Sequence, residues 1–158
     1  MDATENRKLV ERLYQAFARK DGDGMAACYG PDATFTDPVF PDLVGPEVGA
    51  MWRMLCARAT DLELTVEDIG ADLLGGRARW VARYTFSATG RRVTNAVTSV
   101  ITVRDGVIAA QTDQFDFWRW SRQALGPAGW LLGWTPMIRR KVRAQARANL
   151  DSFLAGRA

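Results

Sequence analysis

The chain has 158 residues, of which 47% are hydrophobic, and this is the size of one domain with a real core. Its net charge of +3 is uneven, because residues 119–158 hold eight basic residues and one acid, whereas the remainder has more acids than bases. With no histidine, the sequence excludes Ser/His/Asp triads, Cys/His dyads and the usual zinc sites. Any acid–base chemistry must therefore use Asp, Glu, Tyr, Lys or a water that these groups orient.

The first third of the chain has helical periodicity. "ENRKLVERLYQAFARK" (5–20) places Leu9, Leu13 and Phe17 on one side, which predicts a first helix. "DGDG" ends that helix, and "MAACY" predicts a short second helix that the following Gly-Pro ends. "DATFTDP" (32–38) predicts a brief strand. After "GPE", "VGAMWRMLCARA" predicts a third helix.

The period changes to two beyond residue 60. "DLELTVEDI" alternates apolar residues with acids, and the "GG" at 75–76 predicts a turn into "RARWVARYTFSA". "VTNAVTSVITV" and "VIAAQTDQFDFW" follow, joined by "RDG", a hairpin signal. Arginines on the wet face of the second strand are expected to meet the acids of the first. Helices followed by four longer antiparallel strands predict an α+β fold with a curved sheet.

The basic tail begins with "WRWSRQALGPAGWLLGW", which we interpret as an irregular apolar stretch. A final amphipathic helix is predicted from Thr135, with Pro136 in its first turn and an apolar stripe formed by Ile138, Val142, Ala146, Leu150 and Phe153. This stripe favours docking of the tail on the protein itself. We expect no nucleic acid partner, because no aromatic platform accompanies the basic residues. Peripheral membrane contact is a second interpretation, since "GWLLGW" has an interfacial composition.

The segment "Y-x-x-D-A-x-F-x-D-P" (29–38), the "GPE" helix start and the four-stranded pattern resemble the nuclear transport factor 2-like superfamily, and more narrowly its SnoaL-like branch. That branch includes ketosteroid isomerases, polyketide cyclases and limonene epoxide hydrolases. The resemblance implies a cone domain over residues 1–118, with three N-terminal helices on the concave face of the sheet. It also implies a homodimer through the outer sheet face. Residues 119–158 would be a basic extension packed on this domain.

Two aspartates are the candidate catalytic residues. The resemblance aligns Asp37 with the proton-transferring base of the isomerases, although an Asp before a proline is also a common turn cap. Asp113 matches an aspartate of the epoxide hydrolases and cyclases, and it shares a strand face with the apolar Val107, Ala109, Phe115 and Phe117. The isomerases carry an acid on the penultimate strand, where this sequence offers Asn95, Thr98 and Ser99. The hydrolases also need an Arg-x-Asp pair that is missing from residues 93–103, so epoxide hydrolysis ranks low.

The resemblance also suggests residues that could bind a substrate, namely Tyr14, Tyr29, Phe35, Trp52, Asn95 and Phe115. For the aromatic members, the alternative is an ordinary role in the core. The expected function is binding of a small hydrophobic molecule, steroid-, polyketide- or terpenoid-like, with isomerase or cyclase chemistry at the aspartates. The alternative is a ligand-binding or interaction module without chemistry.

The sequence further favours a cytoplasmic protein without metal or cofactor. Its N-terminus, "MDATENRKLVER", is unlike a signal peptide, and its apolar runs are far below the roughly 18 residues that a spanning helix needs. Cys28 and Cys56 show no metal-like or redox-like spacing, so we expect buried thiols.

Overall fold

The computed structural model describes residues 2–156 of the chain. Its helices and strands follow in the order α1 (Ala3–Ala18), α2 (Gly22–Ala26), β1 (Tyr29–Thr36), β2 (Leu43–Val44), α3 (Pro46–Arg58), β3 (Glu63–Ala71), β4 (Gly75–Phe86), β5 (Arg91–Arg104), β6 (Val107–Gln114), α4 (Phe117–Leu125), α5 (Pro127–Leu132) and α6 (Pro136–Gly156). The predicted α+β class with a curved sheet is confirmed.

One six-stranded sheet runs in the order β2-β1-β6-β5-β4-β3. The four long strands β3 to β6 pair antiparallel, as predicted. The sheet as a whole is mixed, however, because β1 lies parallel to β6, with Phe35 opposite Gln111. This pairing places the segment that contains Asp37 beside the strand that contains Asp113, although the two lie far apart in the sequence.

Helices α1 and α3 supply most of the apolar layer on the concave face of the sheet. Leu9, Leu13 and Met51 are almost fully buried there. The glycine pair at 75–76 lies inside β4, so the turn predicted at this pair is displaced to Asp72–Leu74, where the Asp72 carboxylate accepts hydrogen bonds from the Leu74 and Gly75 amides. A Cβ on Gly76 would lie 2.8 Å from a methyl group of Val10, so the glycine lets α1 approach the sheet.

Two helical predictions need correction. The second helix begins at Gly22, because the Asp21 carboxylate caps it by accepting from the Gly24 amide, and β1 then takes up the residues from Tyr29 onward. The apolar stretch after β6 is helical rather than irregular. Asp116 caps α4 through the Arg119 amide, and Gly126, with φ of +66°, separates α4 from α5.

Helix α6 begins at Pro136, one residue after the predicted start at Thr135, and its apolar stripe packs against the domain. Leu150 is fully buried in the main core, and Ala146 and Phe153 contact the same core. Ile138 packs in a second cluster that includes Trp120. Arg157, counted above among the basic residues of the tail, lies outside the described residues. Within residues 2–156, no helix combines the length and the apolar character needed to cross a membrane.

Truncation of Leu150 tests how firmly α6 is held. Leu150→Ala should lower the free energy of unfolding by about 2–5 kcal/mol, the usual cost of a cavity at a fully buried leucine. Leu131→Ala, at a leucine that is 73% exposed, is the matched control and should change stability by less than about 0.5 kcal/mol. Urea unfolding followed by circular dichroism measures both, and equal stability of the two variants would contradict this packing.

Candidate functional site

A cavity of about 530 Å³ lies between the concave face of the sheet and the helices. Its wall is mainly apolar and aromatic, with few polar groups, which is typical of sites for small molecules. Both candidate catalytic aspartates line this cavity. The other lining residues that bear on the chemistry are Trp52, Trp80, Tyr84, Asn95, Phe115, Trp120, Lys141, Gln145 and Asn149.

Asp113 occupies an inward-facing position near the end of β6 and is only 3% exposed. One of its oxygens, Oδ1, accepts a hydrogen bond from the Ser99 hydroxyl at 2.6 Å and another from the Gln111 amide nitrogen at 2.9 Å. Ser99 lies directly opposite Asp113 in the β5–β6 register, and Gln111 lies two residues away on the same strand face. The β-sheet itself therefore positions both donors.

A second layer of donors orients Ser99 and Gln111. The Ser99 hydroxyl accepts from Tyr14 at 2.7 Å and from the indole N–H of Trp80 at 2.9 Å, so its own proton is directed to Asp113. On the other side, the indole of Trp52 donates to the Tyr29 hydroxyl at 2.8 Å.

The Tyr29 hydroxyl in turn donates to the Gln111 carbonyl oxygen at 2.6 Å. Two hydrogen-bond chains, one through Ser99 and one through Gln111, thus end on the same carboxylate oxygen.

Burial dominates the electrostatics of Asp113. Loss of solvation raises its pKa to about 7, against the opposing effect of the hydrogen bonds from Ser99 and Gln111. The negative charge of Asp37 adds to the increase in the pKa of Asp113. Burial also raises the pKa of Tyr14 and that of Tyr29, so both phenols stay protonated donors at neutral pH.

Asp37 follows β1 and is half-buried at the cavity wall. Its Oδ1 accepts from the backbone amides of Val39 at 2.7 Å and Phe40 at 2.6 Å, which is the turn-capping geometry expected before a proline. The side chain thus caps a turn and also lines the cavity, so the two geometries that the sequence left open coexist. Burial raises the pKa of Asp37 to about 6, against the effect of the two amides and of Arg143.

The two carboxyl groups share an unusual feature. In each, Oδ1 accepts two hydrogen bonds, whereas Oδ2 accepts none of those found within residues 2–156. One oxygen therefore fixes the side chain, and the other remains available to a bound molecule. A buried carboxyl with a pKa near neutrality can exchange a proton at physiological pH, which is the property that a general acid or base requires.

Of the six predicted binding residues, three line the cavity and three do not. Trp52, Asn95 and Phe115 line the cavity. Tyr14 and Tyr29 lie behind its wall and reach Asp113 only through Ser99 and Gln111. Phe35 is buried and packs edge-on against Trp52, with ring centroids 5.5 Å apart. Of the polar residues noted on β5, Thr98 faces the exposed side of the sheet.

Two sets of residues at the site were not predicted from the sequence. Gln111 was not singled out, although a polar residue two positions before Asp113 must share its inward face. The cavity wall contributed by α6 was also missed, and it includes Lys141, Gln145 and Asn149. These three residues recur every four positions beside the apolar stripe, and this spacing could have identified them.

Helix α6 also contacts the turn that holds Asp37. The Arg143 guanidinium donates to the Pro38 carbonyl oxygen at 2.8 Å, and Arg147 forms an ion pair with Glu47 on α3. The turn is thereby linked to the tail. Among residues 2–156, no group of three or more acidic or cysteine side chains is arranged to hold a metal ion.

Comparisons with known proteins agree with this architecture. A family model described as a SnoaL-like domain matches residues 10–111. An LEH-like epoxide hydrolase of M. tuberculosis is 24% identical and superposes with a TM-score of 0.64, and the match covers 86% of this chain and 96% of that protein. A proposed polyketide cyclase from a Silicibacter species is 22% identical and superposes with a TM-score of 0.66. The match covers 78% of this chain and 98% of that protein.

A third similar structure is a protein with a ketosteroid isomerase-like fold from Catenulispora acidiphila, solved in complex with trimethylamine. It is 14% identical with a TM-score of 0.66, covering 77% of this chain and 95% of its own. No curated protein matches the sequence. At these identities the similar structures establish the fold, and the chemistry must be argued from the cavity itself.

The raised pKa values predict that the protein loses stability as the pH rises. An unfolded aspartate has a pKa of about 3.9, whereas Asp113 in the folded protein has a pKa of about 7. Between these two pH values, Asp113 holds a proton in the folded state that it has lost in the unfolded state. The contribution of the Asp37 and Asp113 carboxyl groups to stability should therefore be greatest below about pH 4 and be lost progressively between about pH 4 and pH 7. Asp113→Asn should remove most of this loss. Urea unfolding across this range measures it, and carbon NMR titration of the carboxyls supplies the midpoints, so a midpoint for Asp113 near 3.9 would contradict the prediction.

Ser99→Ala should lower the free energy of unfolding, although it removes only one oxygen atom. The substitution leaves the Tyr14 hydroxyl and the Trp80 indole without their acceptor, and each buried unsatisfied group costs about 1–3 kcal/mol. It also removes a donor to Asp113, so the pKa of that carboxyl should rise further. Thr98→Ala, on the exposed face of the same strand, is the control and should leave both the stability and the Asp113 titration unchanged.

Proposed function

This chain belongs to the SnoaL-like family, and from that premise we propose that it binds a small hydrophobic molecule in its cavity and moves a proton on it. The reaction type is that of an isomerase or cyclase acting next to a carbonyl group. Asp37 is the general base, and Asp113 in its neutral form is the hydrogen-bond donor or general acid. The family contributes the expectation of a cavity with acid–base groups, and the arrangement of the aspartates supports the roles of these two residues.

One observation carries the proposal. Asp37 and Asp113 line the same apolar cavity, and each keeps one carboxylate oxygen free of the hydrogen bonds that fix the other. Two carboxyl groups with purely structural roles would use both oxygens within the protein, since buried polar atoms are almost always paired. The free oxygens are where a substrate would make its polar contacts.

The different environments of the two groups divide the chemistry between them. Burial raises the pKa of both groups, but Asp113 has the higher pKa, about 7 against about 6 for Asp37, because the charge of Asp37 raises it further whereas Arg143 lowers the pKa of Asp37. In the singly protonated cavity, the proton therefore favours Asp113. Its Oδ2 then donates to a ligand carbonyl, while the ionised Asp37 accepts a proton from the neighbouring carbon.

A neutral Asp113 also fills the place of the acid that β5 lacks. The penultimate strand presents Ser99 inward, and Ser99 pairs directly with Asp113 on the adjacent strand. A carboxylic acid at position 113 would stabilise the negative charge that develops on the carbonyl oxygen as an enolate forms. The enolate would then take the proton back at another carbon, as in isomerisation, or attack a second carbonyl of the same molecule, as in cyclisation.

The lining of the cavity limits the substrate to a mostly apolar compound with few polar groups. Trp52, Trp80, Tyr84 and Trp120 offer flat surfaces that suit fused or unsaturated rings. A volume of about 530 Å³ is within the usual range for sites of drug-sized molecules. Steroid-, polyketide- and terpenoid-like compounds share these properties and form the proposed substrate class.

The partner proposed for the chain is a second copy, packed through the outer face of the sheet. In support of this, the exposed Val100 lies on the outer face of β5 between Thr98 and Thr102, opposite the exposed Arg77 of β4. The alternative function is a ligand-binding module without chemistry, which would need the cavity but no proton transfer. The two functions differ in whether a bound ketone exchanges protons with the solvent.

Asp37→Asn provides the decisive test. The asparagine oxygen can still accept from the Val39 and Phe40 amides, so the turn should be retained while the base is lost. In deuterated water, a cyclic ketone that binds to the protein should exchange the protons beside its carbonyl, and Asp37→Asn should slow this exchange by about 10²–10⁴-fold. NMR measures the exchange, and calorimetry measures binding.

Asp116→Asn is the matched control. Asp116 lies three residues from Asp113 but caps α4, outside the cavity lining, and asparagine is an equally good cap. This variant should bind and exchange as the wild type does. Binding without exchange in the wild-type protein would replace the enzyme by the ligand-binding module.

A further inference from the structure

Within residues 2–156, the largest group of exposed large apolar side chains lies on α4, α5 and the start of α6. We call it the tryptophan face, and it is formed by Trp118, Trp130, Leu131, Leu132, Trp134 and Met137. Leu131 is 73% exposed and Trp134 is 70% exposed. A folded protein rarely leaves so many large apolar side chains of neighbouring helices exposed to water unless something binds to them.

A cationic cleft of about 550 Å³ adjoins the tryptophan face. It is lined by Arg91, Arg92, Arg119, Arg122, Gln123 and Trp130, a set without a carboxylate. Within residues 2–156, Arg92 forms an ion pair with Asp61, whereas Arg91, Arg119 and Arg122 form none. The exposed Arg139 and Arg140 follow Met137 on α6, so positive charge flanks the apolar surface on both sides.

Arg122 is held in place by the tryptophans. Its guanidinium lies 4.1 Å from the ring centroid of Trp118 and 4.7 Å from that of Trp130. The Nε atom is buried and donates to no acceptor within the described residues. A guanidinium fixed between two rings, with hydrogen-bond donors unused, suits an anionic oxygen ligand such as a phosphate group.

We propose that the tryptophan face docks on an anionic lipid membrane, with the apolar side chains entering the interface and the arginines of the cleft binding headgroup phosphates. Tryptophan and leucine beside arginine are the residues that interfacial segments use. A second copy of this chain fits the surface poorly, because two such faces would bring uncompensated arginines together. The stripe of α6 still packs on the domain, so docking involves α4, α5 and the first turn of α6 only.

The same short helices border the cavity. Trp120 and Ala128 line it from α4 and α5, and Ile138 lines it from α6. A lipid-soluble ligand could therefore pass from the membrane to the cavity along this side. That consequence rests on the proposed function, whereas docking does not, so an experiment with ligand-free protein tests docking alone.

Flotation with vesicles tests the proposal on the full chain. The protein should float with vesicles of phosphatidylcholine containing about one-third phosphatidylglycerol, and much less with phosphatidylcholine alone. Raised salt should weaken this binding. Leu131→Ser combined with Trp134→Ser should weaken it at least about tenfold, and so should Arg119→Gln combined with Arg140→Gln.

Matched controls use equally exposed residues elsewhere. Leu73→Ser with Leu74→Ser changes two leucines that are 74% and 76% exposed on the β3–β4 turn, and Lys8→Gln with Arg104→Gln removes two charges from other surfaces. Both controls should bind vesicles as the wild type does. Thermal melting should show all four variants folded, since every changed side chain is exposed.

Four results would overturn the proposal. The first is failure of the wild-type protein to bind anionic vesicles, and the second is an equal loss of binding in the controls. The third is dissociation of a dimer by Leu131→Ser with Trp134→Ser, seen by sedimentation, which would assign the face to a second copy. Complete competition by free glycerol phosphate at its binding concentration would likewise assign the cleft to a soluble phosphate.

Discussion

The desolvated carboxyl of Asp113 is the constraint on which the arrangement of the site depends. A charge at this depth would be unfavourable without compensation, and the fold supplies it through Ser99 on β5 and Gln111 on β6. Those two residues are in turn fixed by donors from α1, α3, β1 and β4, so five elements besides β6 contribute to one oxygen atom. Packing of the helices on the sheet and the protonation of Asp113 are therefore coupled through the same hydrogen bonds.

Asp37 shows how a structural role and a chemical role can reside in one side chain. The amides of Val39 and Phe40 fix Oδ1, and a pre-proline turn of this kind forms from local sequence alone. What the turn cannot supply is the low-polarity surrounding that raises the pKa of the carboxyl. That surrounding comes from the cavity wall, and the Arg143 contact with Pro38 ties it to α6, so the electrostatics of Asp37 depend on the tail.

Much of the fold could be predicted from the sequence because its signals are local. The period-3.6 pattern of α1, the alternation in β3 to β5 and the proline at the start of α6 each report on neighbouring residues. The parallel pairing of β1 with β6 joins residues such as Phe35 and Gln111 that are remote in the chain, and no local pattern encodes it. For the same reason both aspartates could be identified from the sequence, whereas the convergence of Tyr14, Ser99 and Asp113 could not.

The basic tail and the acidic body carry opposite net charges, yet attraction between these charges is not what holds the tail in place. Within the described residues, Arg147 with Glu47 is the ion pair that joins the tail to the body, and exposed pairs contribute only about 0–1 kcal/mol. The burial of Leu150 and its neighbours must therefore hold α6 in place, at roughly 25 cal/mol per Å² of apolar surface removed from water. Because attachment of the tail does not need them, the arginines near the tryptophan face remain free to contact anions outside the protein.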